Sequence, residues 1–146
     1  MKYIILDLDG TLCDCGHRQH LAAAKAWDEF HALCSFDEPF HDVLHIVNAF
    51  AANEDYSIVA VTGRSEKFRQ KTYDWFAKFG LLHKIDHLLM RPDDDFSKDG
   101  EMKLGLISKA FINIDDIAFA LDDRDQVVAA FREVGIAAYQ VRSGSY

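Results

Sequence analysis

The chain has 146 residues, 49% of them hydrophobic, enough for one sizeable core and the basis for expecting a single domain over 1–146. No stretch approaches the about 20 apolar residues that cross a bilayer, and Met1-Lys2-Tyr3-Ile4-Ile5-Leu6 meets an acid before a signal-peptide core can form, so a soluble, cytoplasmic protein is expected. A formal charge of −8 works against non-specific attraction to a polyanion, so a nucleic-acid substrate would be held by its end alone, although part of the acid excess can belong to metal-binding carboxylates.

Lys2 to Leu8 is an apolar run suited to a strand buried on both faces. Two helices follow: about Arg18 to Leu33, with Leu21, Ala24, Trp27, Ala32 and Leu33 at helical spacing, and about Phe40 to Ala52, with Val43, Leu44, Val47 and Phe50. A second strand, Ser57 to Val61, ends in Thr62-Gly63-Arg64. Ser65 can cap the next helix, about Glu66 to Phe79, and Gly80 can close it. A third strand at His87 to Met90 leads through an Asp-rich loop to a helix at about Gly100 to Phe111. A fourth strand, Ile117 to Leu121, runs into Asp122-Asp123, and a helix at about Asp125 to Val134 precedes a fifth strand, Ile136 to Val141. Five strands alternating with helices predict an α/β fold, a doubly wound, Rossmann-like parallel sheet with helices on both faces.

Several polar groups have ordinary explanations. Cys13, Cys15 and Cys34 are odd in number and read as reduced thiols; the Cys-x-Cys pair near His17 and His20 lacks zinc-site spacing. His41 and His45 stand one turn apart without an obvious third ligand. Asp93-Asp94-Asp95 lacks the glycine and terminal Glu of a calcium loop and reads as a solvated turn.

The chemistry gathers at strand ends, where doubly wound sheets bind ligands. Asp7 and Asp9 follow the first strand, Thr62 and Arg64 the second, Asp122 and Asp123 the fourth. Gly10 permits a turn that brings Asp7 and Asp9 towards one cavity, and close carboxylates favour a divalent cation, with oxygen-only ligands suiting magnesium. Asp7 fits a nucleophile and Asp9 a general acid and base; Thr62 and Gly63 can hold phosphate oxygens, Lys103 supplies a positive charge, and Asp122 and Asp123 can complete the metal shell. Asp115-Asp116 precedes its strand and so falls at the opposite edge.

Asp7-Leu8-Asp9-Gly10-Thr11-Leu12, Thr62-Gly63-Arg64, Lys103 and Asp122-Asp123 resemble the four motifs of haloacid dehalogenase-type phosphatases. A closer resemblance is to the 3′-phosphatase domains of phage T4-type polynucleotide kinase/phosphatases, carried by Met90-Arg91, Lys98-Asp99 to Lys103, Leu121 to Val128 and Tyr139-Gln140-Val141-Arg142-Ser143-Gly144. That resemblance implies a three-layer sandwich, Asp7 as nucleophile, Asp9 as acid/base, and a Mg2+ ion held by Asp7, Asp9, Asp122 and Asp123. It also implies phosphate or substrate binding by Arg18, Arg64 and Arg91, with Asp99 orienting Lys103. No Gly-x-x-x-x-Gly-Lys-[Ser/Thr] phosphate loop occurs, so no kinase half is expected in these residues. The segment at about 18–56 departs from the relatives and is expected to form a minimal helical lid.

The leading expectation is therefore removal of a 3′-phosphate from a nucleic-acid end or nucleotide, as in strand repair. A phosphatase of small phosphomonoesters such as nucleoside 5′-monophosphates is the alternative, and a non-catalytic phosphate-binding module stands third. The phosphomonoester is the expected partner, and no membrane partner is expected.

Overall fold

The computed structural model describes residues 1–146. In chain order its elements are β1 (Lys2–Leu6), β2 (Cys13–Asp14), α1 (Gln19–Ala23), α2 (Trp27–Ala32), β3 (Glu38–Pro39), α3 (His41–Ala51), β4 (Tyr56–Ser65), α4 (Arg69–Lys78), β5 (His87–Arg91), α5 (Asp99–Lys109), β6 (Ile117–Asp122), α6 (Asp125–Glu133) and β7 (Ala138–Gln140). Five strands form one parallel sheet in the order β5-β4-β1-β6-β7, and β2 and β3 make a separate antiparallel pair. The order reverses between β1 and β6, which sets the binding crevice beyond their carboxyl ends.

Alternation along the central strands divides the core between two faces. Ile4, Leu6, Ile58 and Ala60 pack with Val43 and Val47 of α3 and Trp75 and Phe76 of α4. Ile5, Val59 and Val61 pack with Ile107 of α5 and Val127, Val128 and Phe131 of α6. The result is the expected three-layer, doubly wound sandwich, and each of the buried Ile, Leu and Val side chains named contributes roughly 1.5–3 kcal/mol. No helix is long and apolar enough to cross a membrane.

The structure corrects the expected elements in three places. The helix expected at about Arg18 to Leu33 is broken into a 3₁₀ turn at Gly16–Arg18, α1, α2 and a second 3₁₀ turn at Leu33–Phe36, with Lys25 at φ 58° between α1 and α2. Its residues offer no continuous apolar face: α1 buries nothing, and Trp27 points outward while Phe30, His31 and Cys34 go in. Secondly, β4 runs on through Thr62 to Ser65, bulging between Thr62 and Ser65 in its pairing with β5. Thirdly, Ser65 accepts from the Lys67 N–H and caps a 3₁₀ turn, and α4 begins only at Arg69. Gly80 closes α4 at φ 70°, as its position predicts.

Candidate active site

Asp7 continues the pairing of β1 beyond its last residue, its N–H donating to Leu121 O at 3.0 Å, and the carboxylate enters the crevice beside the end of β6. The loop behind it is wound tightly: the N–H groups of Thr11, Leu12 and Cys13 all donate to Leu8 O. Gly10 turns the chain at φ 85°, and a Cβ there would collide with the Asp123 carboxylate, so glycine serves both the turn and the approach of β1 to β6. Asp7, Asp122 and Asp123, all buried, bring carboxylate oxygens within 4.8 Å of one another. Lys103, one turn into α5, donates at 2.8 Å to both Asp7 and Asp122, and Thr11 Oγ1 donates to Asp7 at 2.9 Å.

Three buried carboxylates face one ammonium here. Burial, with Asp122 adding to it, pushes the Asp7 carboxyl well above its ordinary range, and Lys103 only partly opposes this. Burial also raises Asp122 against the pull of Lys103. Lys103 itself would be discharged by burial alone, but Asp122, Asp7 and Asp99 hold it protonated. Fully ionised, the cluster would carry two negative charges in excess of Lys103, and a hard divalent cation such as Mg2+, which suits the all-oxygen donor set, would hold it in that state. Another acidic group, Asp9 and Asp37 near Cys13, has no such excess, because two arginines neutralise it.

Asp9 lies across the crevice, and its carboxylate is turned to those arginines, away from the other three carboxylates. Arg18 Nη2 and Arg64 Nη2 each reach Asp9 Oδ1 at 2.6 Å, and Arg64 Nε lies 3.2 Å from Oδ2. Burial raises the Asp9 carboxyl, but Arg64 and Arg18 outweigh it and hold the group far below the usual carboxylate range. Arg18 also grips Asp37 through Nε at 2.9 Å and Nη2 at 2.6 Å and donates to Phe30 O. The bulge in β4 places Arg64 in this cluster, where Nη1 also meets Thr72 Oγ1 at 3.2 Å. Both guanidiniums are fully buried. The two arginines expected at the phosphate are thus spent on Asp9 and Asp37, and Asp37, which has no motif around it, is the member that sequence reading missed.

Arg91 and Asp99 sit on the β5 side. Arg91 Nη2 donates to Asp99 Oδ1 at 3.2 Å, and Asp99 Oδ2 lies 3.6 Å from Lys103 Nζ and 3.5 Å from Arg124 Nη1. Burial raises the Asp99 carboxyl, yet Lys103, Arg124 and Arg91 together keep it below its ordinary value. Gly63 lets Asp99 approach, since a Cβ at Gly63 would stand 2.7 Å from Asp99 Oδ1. Thr62 Oγ1 accepts the Arg64 N–H at 3.1 Å, which leaves its own proton for donation. Tyr146, which no motif announced, donates its hydroxyl to Asp123, and its main-chain oxygen accepts from Arg124 Nε at 2.7 Å. All of this surrounds a cleft of about 1200 Å³, lined by Asp7, Asp9, Thr62, Gly63, Arg91 and Asp122 among others. That exceeds the roughly 300–1,000 Å³ usual for small-molecule sites.

Residues 1–146 match the family model described as the polynucleotide kinase PNKP phosphatase domain. The chain belongs to that family. It is 31% identical over 135 residues to a protein of Autographa californica nuclear polyhedrosis virus whose name is that of a bifunctional polynucleotide kinase/RNA ligase, covering 92% of this chain and 18% of that one. A chain in the solved Pnkp1/Rnl/Hen1 complex superposes with a TM-score of 0.82 at 29% identity, over 99% of this chain and 47% of that one. The chain therefore spans about a fifth and about half of these two relatives. The L-2-haloacid dehalogenase of Xanthobacter autotrophicus shares the fold alone, with a TM-score of 0.70 at 10% identity over 97% of this chain and 77% of that one. As a PNKP-type phosphatase domain of the haloacid dehalogenase superfamily, the chain is a phosphatase.

Proposed function

We propose that this phosphatase removes a terminal 3′-phosphate from a nucleic-acid strand or nucleotide, with Asp7 as nucleophile and Mg2+ as cofactor. The observation that carries the reading is the division of carboxylates in one cleft. Asp7 stands with Asp122, Asp123 and Lys103, and Asp9 is held separately by arginines, so nucleophile and proton carrier have different electrostatic surroundings. Asp7, Asp122 and Asp123 would hold the cation, which supplies the charge that lets a phosphate dianion approach an ionised Asp7.

The Asp7 carboxylate oxygen attacks phosphorus, forming an acyl phosphate as the bond from phosphorus to the 3′-oxygen breaks. Asp9 gives that oxygen its proton. Water then attacks the phosphoaspartate, Asp9 takes the water's proton, and inorganic phosphate leaves with Asp7 restored. Lys103 is charged throughout and lies against Asp7, where the transferring group is most negative. The ionised state of Asp9 suits the second step; for the first, a phosphate dianion arriving beside it raises its proton affinity against the arginines, so that Asp9 takes up a proton from solvent with the substrate, and that proton is the one it passes to the 3′-oxygen. Thr62, Gly63 and Arg91 line the cleft where phosphate oxygens not being transferred can be held, and the segment at about 18–56, which contributes Arg18, serves as the lid of this single-domain unit.

The test is release of inorganic phosphate from a 3′-phosphorylated oligonucleotide with Mg2+, with EDTA, and against a panel of nucleoside 5′-monophosphates. Turnover on the 3′-end that needs Mg2+ is expected, with Asp7→Asn reducing it at least about 10³-fold while circular dichroism is unchanged. A preference above about tenfold for 5′-monophosphates, or full turnover by Asp7→Asn, would overturn the reading.

A further inference from the structure

Trp27 falls at a position whose spacing predicts burial, yet its side chain is 50% exposed on the wall of the cleft that contains Asp7 and Asp9. The indole is not loose. His31, one turn on in α2, stacks beneath it at 6.2 Å between ring centroids and 24° between planes, and Phe30 meets it edge-on at 5.8 Å and 85°. His31 is supported in turn by Phe30 and Phe68, at 5.3 and 5.6 Å. The indole is thus flanked by rings within the protein while half of it stays exposed to the cleft. Beneath the stack, Arg18 lies 4.2 Å over Phe30 and donates to its carbonyl while binding Asp9, which fixes α2 in register with Asp9.

Two further observations point to a ligand on this wall. His31 Nδ1 is the one buried side-chain polar atom in the chain that has no hydrogen-bond partner, so the polar chemistry of the cleft is incomplete here. The chain's charge of −8 works against a long polyanion track, which gives uncharged contact near the phosphate a larger share of the binding energy. Base-on-aromatic stacking supplies such contact without regard to sequence, and a ring already held in place loses little entropy on binding. Phe96 lines the same cleft at 91% exposure but has no ring packed beneath it.

We propose that the exposed part of Trp27 is a stacking platform for the nucleobase carried by the phosphorylated sugar, and that it distinguishes a nucleotide end from a baseless phosphomonoester. This rests on the phosphatase reading above, in which the phosphorus sits at Asp7. His31 and Phe30 act as positioning residues, holding the indole at a set distance from Asp9.

The experiment compares kcat/KM for a 3′-phosphorylated oligonucleotide end with that for the same end lacking its last base. In the wild-type chain the base-bearing end is favoured by about tenfold or more. Trp27→Ala brings the ratio to about one, Trp27→Phe keeps most of it, and Phe96→Ala keeps it. A wild-type ratio near one, an equal loss on both substrates in Trp27→Ala, or a ratio that collapses in Phe96→Ala and not in Trp27→Ala overturns the platform. A second readout needs no turnover. In the Asp7→Asn chain, adenosine 3′-monophosphate quenches the emission of Trp27 and inorganic phosphate does not, with Trp75, 2% exposed, as the constant background. Absence of quenching overturns the platform; quenching by a wild-type chain that hydrolyses no phosphomonoester overturns the phosphatase reading and leaves the platform standing.

Discussion

Lys103 and His31 show two opposite ways in which burial is tolerated by an ionisable residue. Lys103 stays charged because Asp7 and Asp122 each accept from Nζ at 2.8 Å, so Lys103→Met leaves three carboxylates buried without their cation. Breaking such a pair costs about 3–5 kcal/mol, and the expected outcome is a lowered urea midpoint together with a loss of turnover of about 10²-fold or more. Retained turnover in that variant would remove Lys103 from the mechanism. His31 stays neutral instead: burial pushes its imidazole down to about 4, with Arg64 and Arg18 adding to the effect against Asp9 and Asp28. Between the ordinary value of about 6.5 and about 4, the unfolded chain binds a proton that the folded chain refuses, so stability falls as pH falls through this window and the loss is complete near pH 4. The expected loss is on the order of 1–3 kcal/mol, read as the difference in urea midpoint between pH 7 and pH 4.5, and His31→Phe should flatten it. An unchanged slope in His31→Phe would mean that other groups carry the acid sensitivity.

At the scale of elements, the contact of α5 with α6 sets where Lys103 stands. A Cβ on Gly100 would lie 2.7 Å from the Ala130 Cβ, so these helices approach as closely as they do only because position 100 is glycine. Gly100→Ala is expected to cost about 1–3 kcal/mol by overpacking and to lower kcat as α5 shifts, and adding Ala130→Gly should recover both in a double-mutant cycle. Strict additivity of the two changes would show that the contact does not limit the packing. Elements of this kind were legible in the sequence, because Ile4 to Leu6, Ser57 to Val61 and Ile117 to Leu121 are apolar runs ending in polar groups, and the sheet imposes the same pattern. The segment after Arg18 was not. Its course is set by contacts that close over distance, Arg18 with Asp37 and Trp75 Nε1 with Asp37 O at 2.8 Å, and local periodicity carries no trace of them. For the same reason spacing put Trp27 in the core, and Arg64 and Asp9 were each recognisable by motif while their pairing was not.

Over the whole molecule, the formal charge of −8 is distributed unevenly in its consequences. Inside the cleft Asp7, Asp122 and Asp123, once ionised, outnumber Lys103 by two charges that a divalent ion can meet, whereas Asp9 and Asp37 are neutralised by Arg18 and Arg64. A ligand that binds only the folded form stabilises it in proportion to the logarithm of its concentration, about 2.7 kcal/mol at a hundred times its dissociation constant. Mg2+ is therefore expected to raise the melting temperature, EDTA to reverse the rise, and Asp123→Asn to reduce it; no shift at millimolar Mg2+ would count against the ion. Over the whole chain the net charge works against a long polyanionic strand. Each phosphate neutralised on a single strand contributes a slope of about −0.7 in log affinity against log salt, so a protein that tracks six phosphates loses binding steeply as salt rises. With a net charge of −8 set against any long strand, KM for a 3′-phosphorylated trimer and for a 20-mer is expected to agree within about threefold, with a salt slope of only the few phosphates that the cleft's Lys67, Arg91, Lys98 and Arg124 can meet. A much lower KM for the longer strand, with a slope of about −4 or steeper, would show a basic track leading away from the cleft and overturn this expectation.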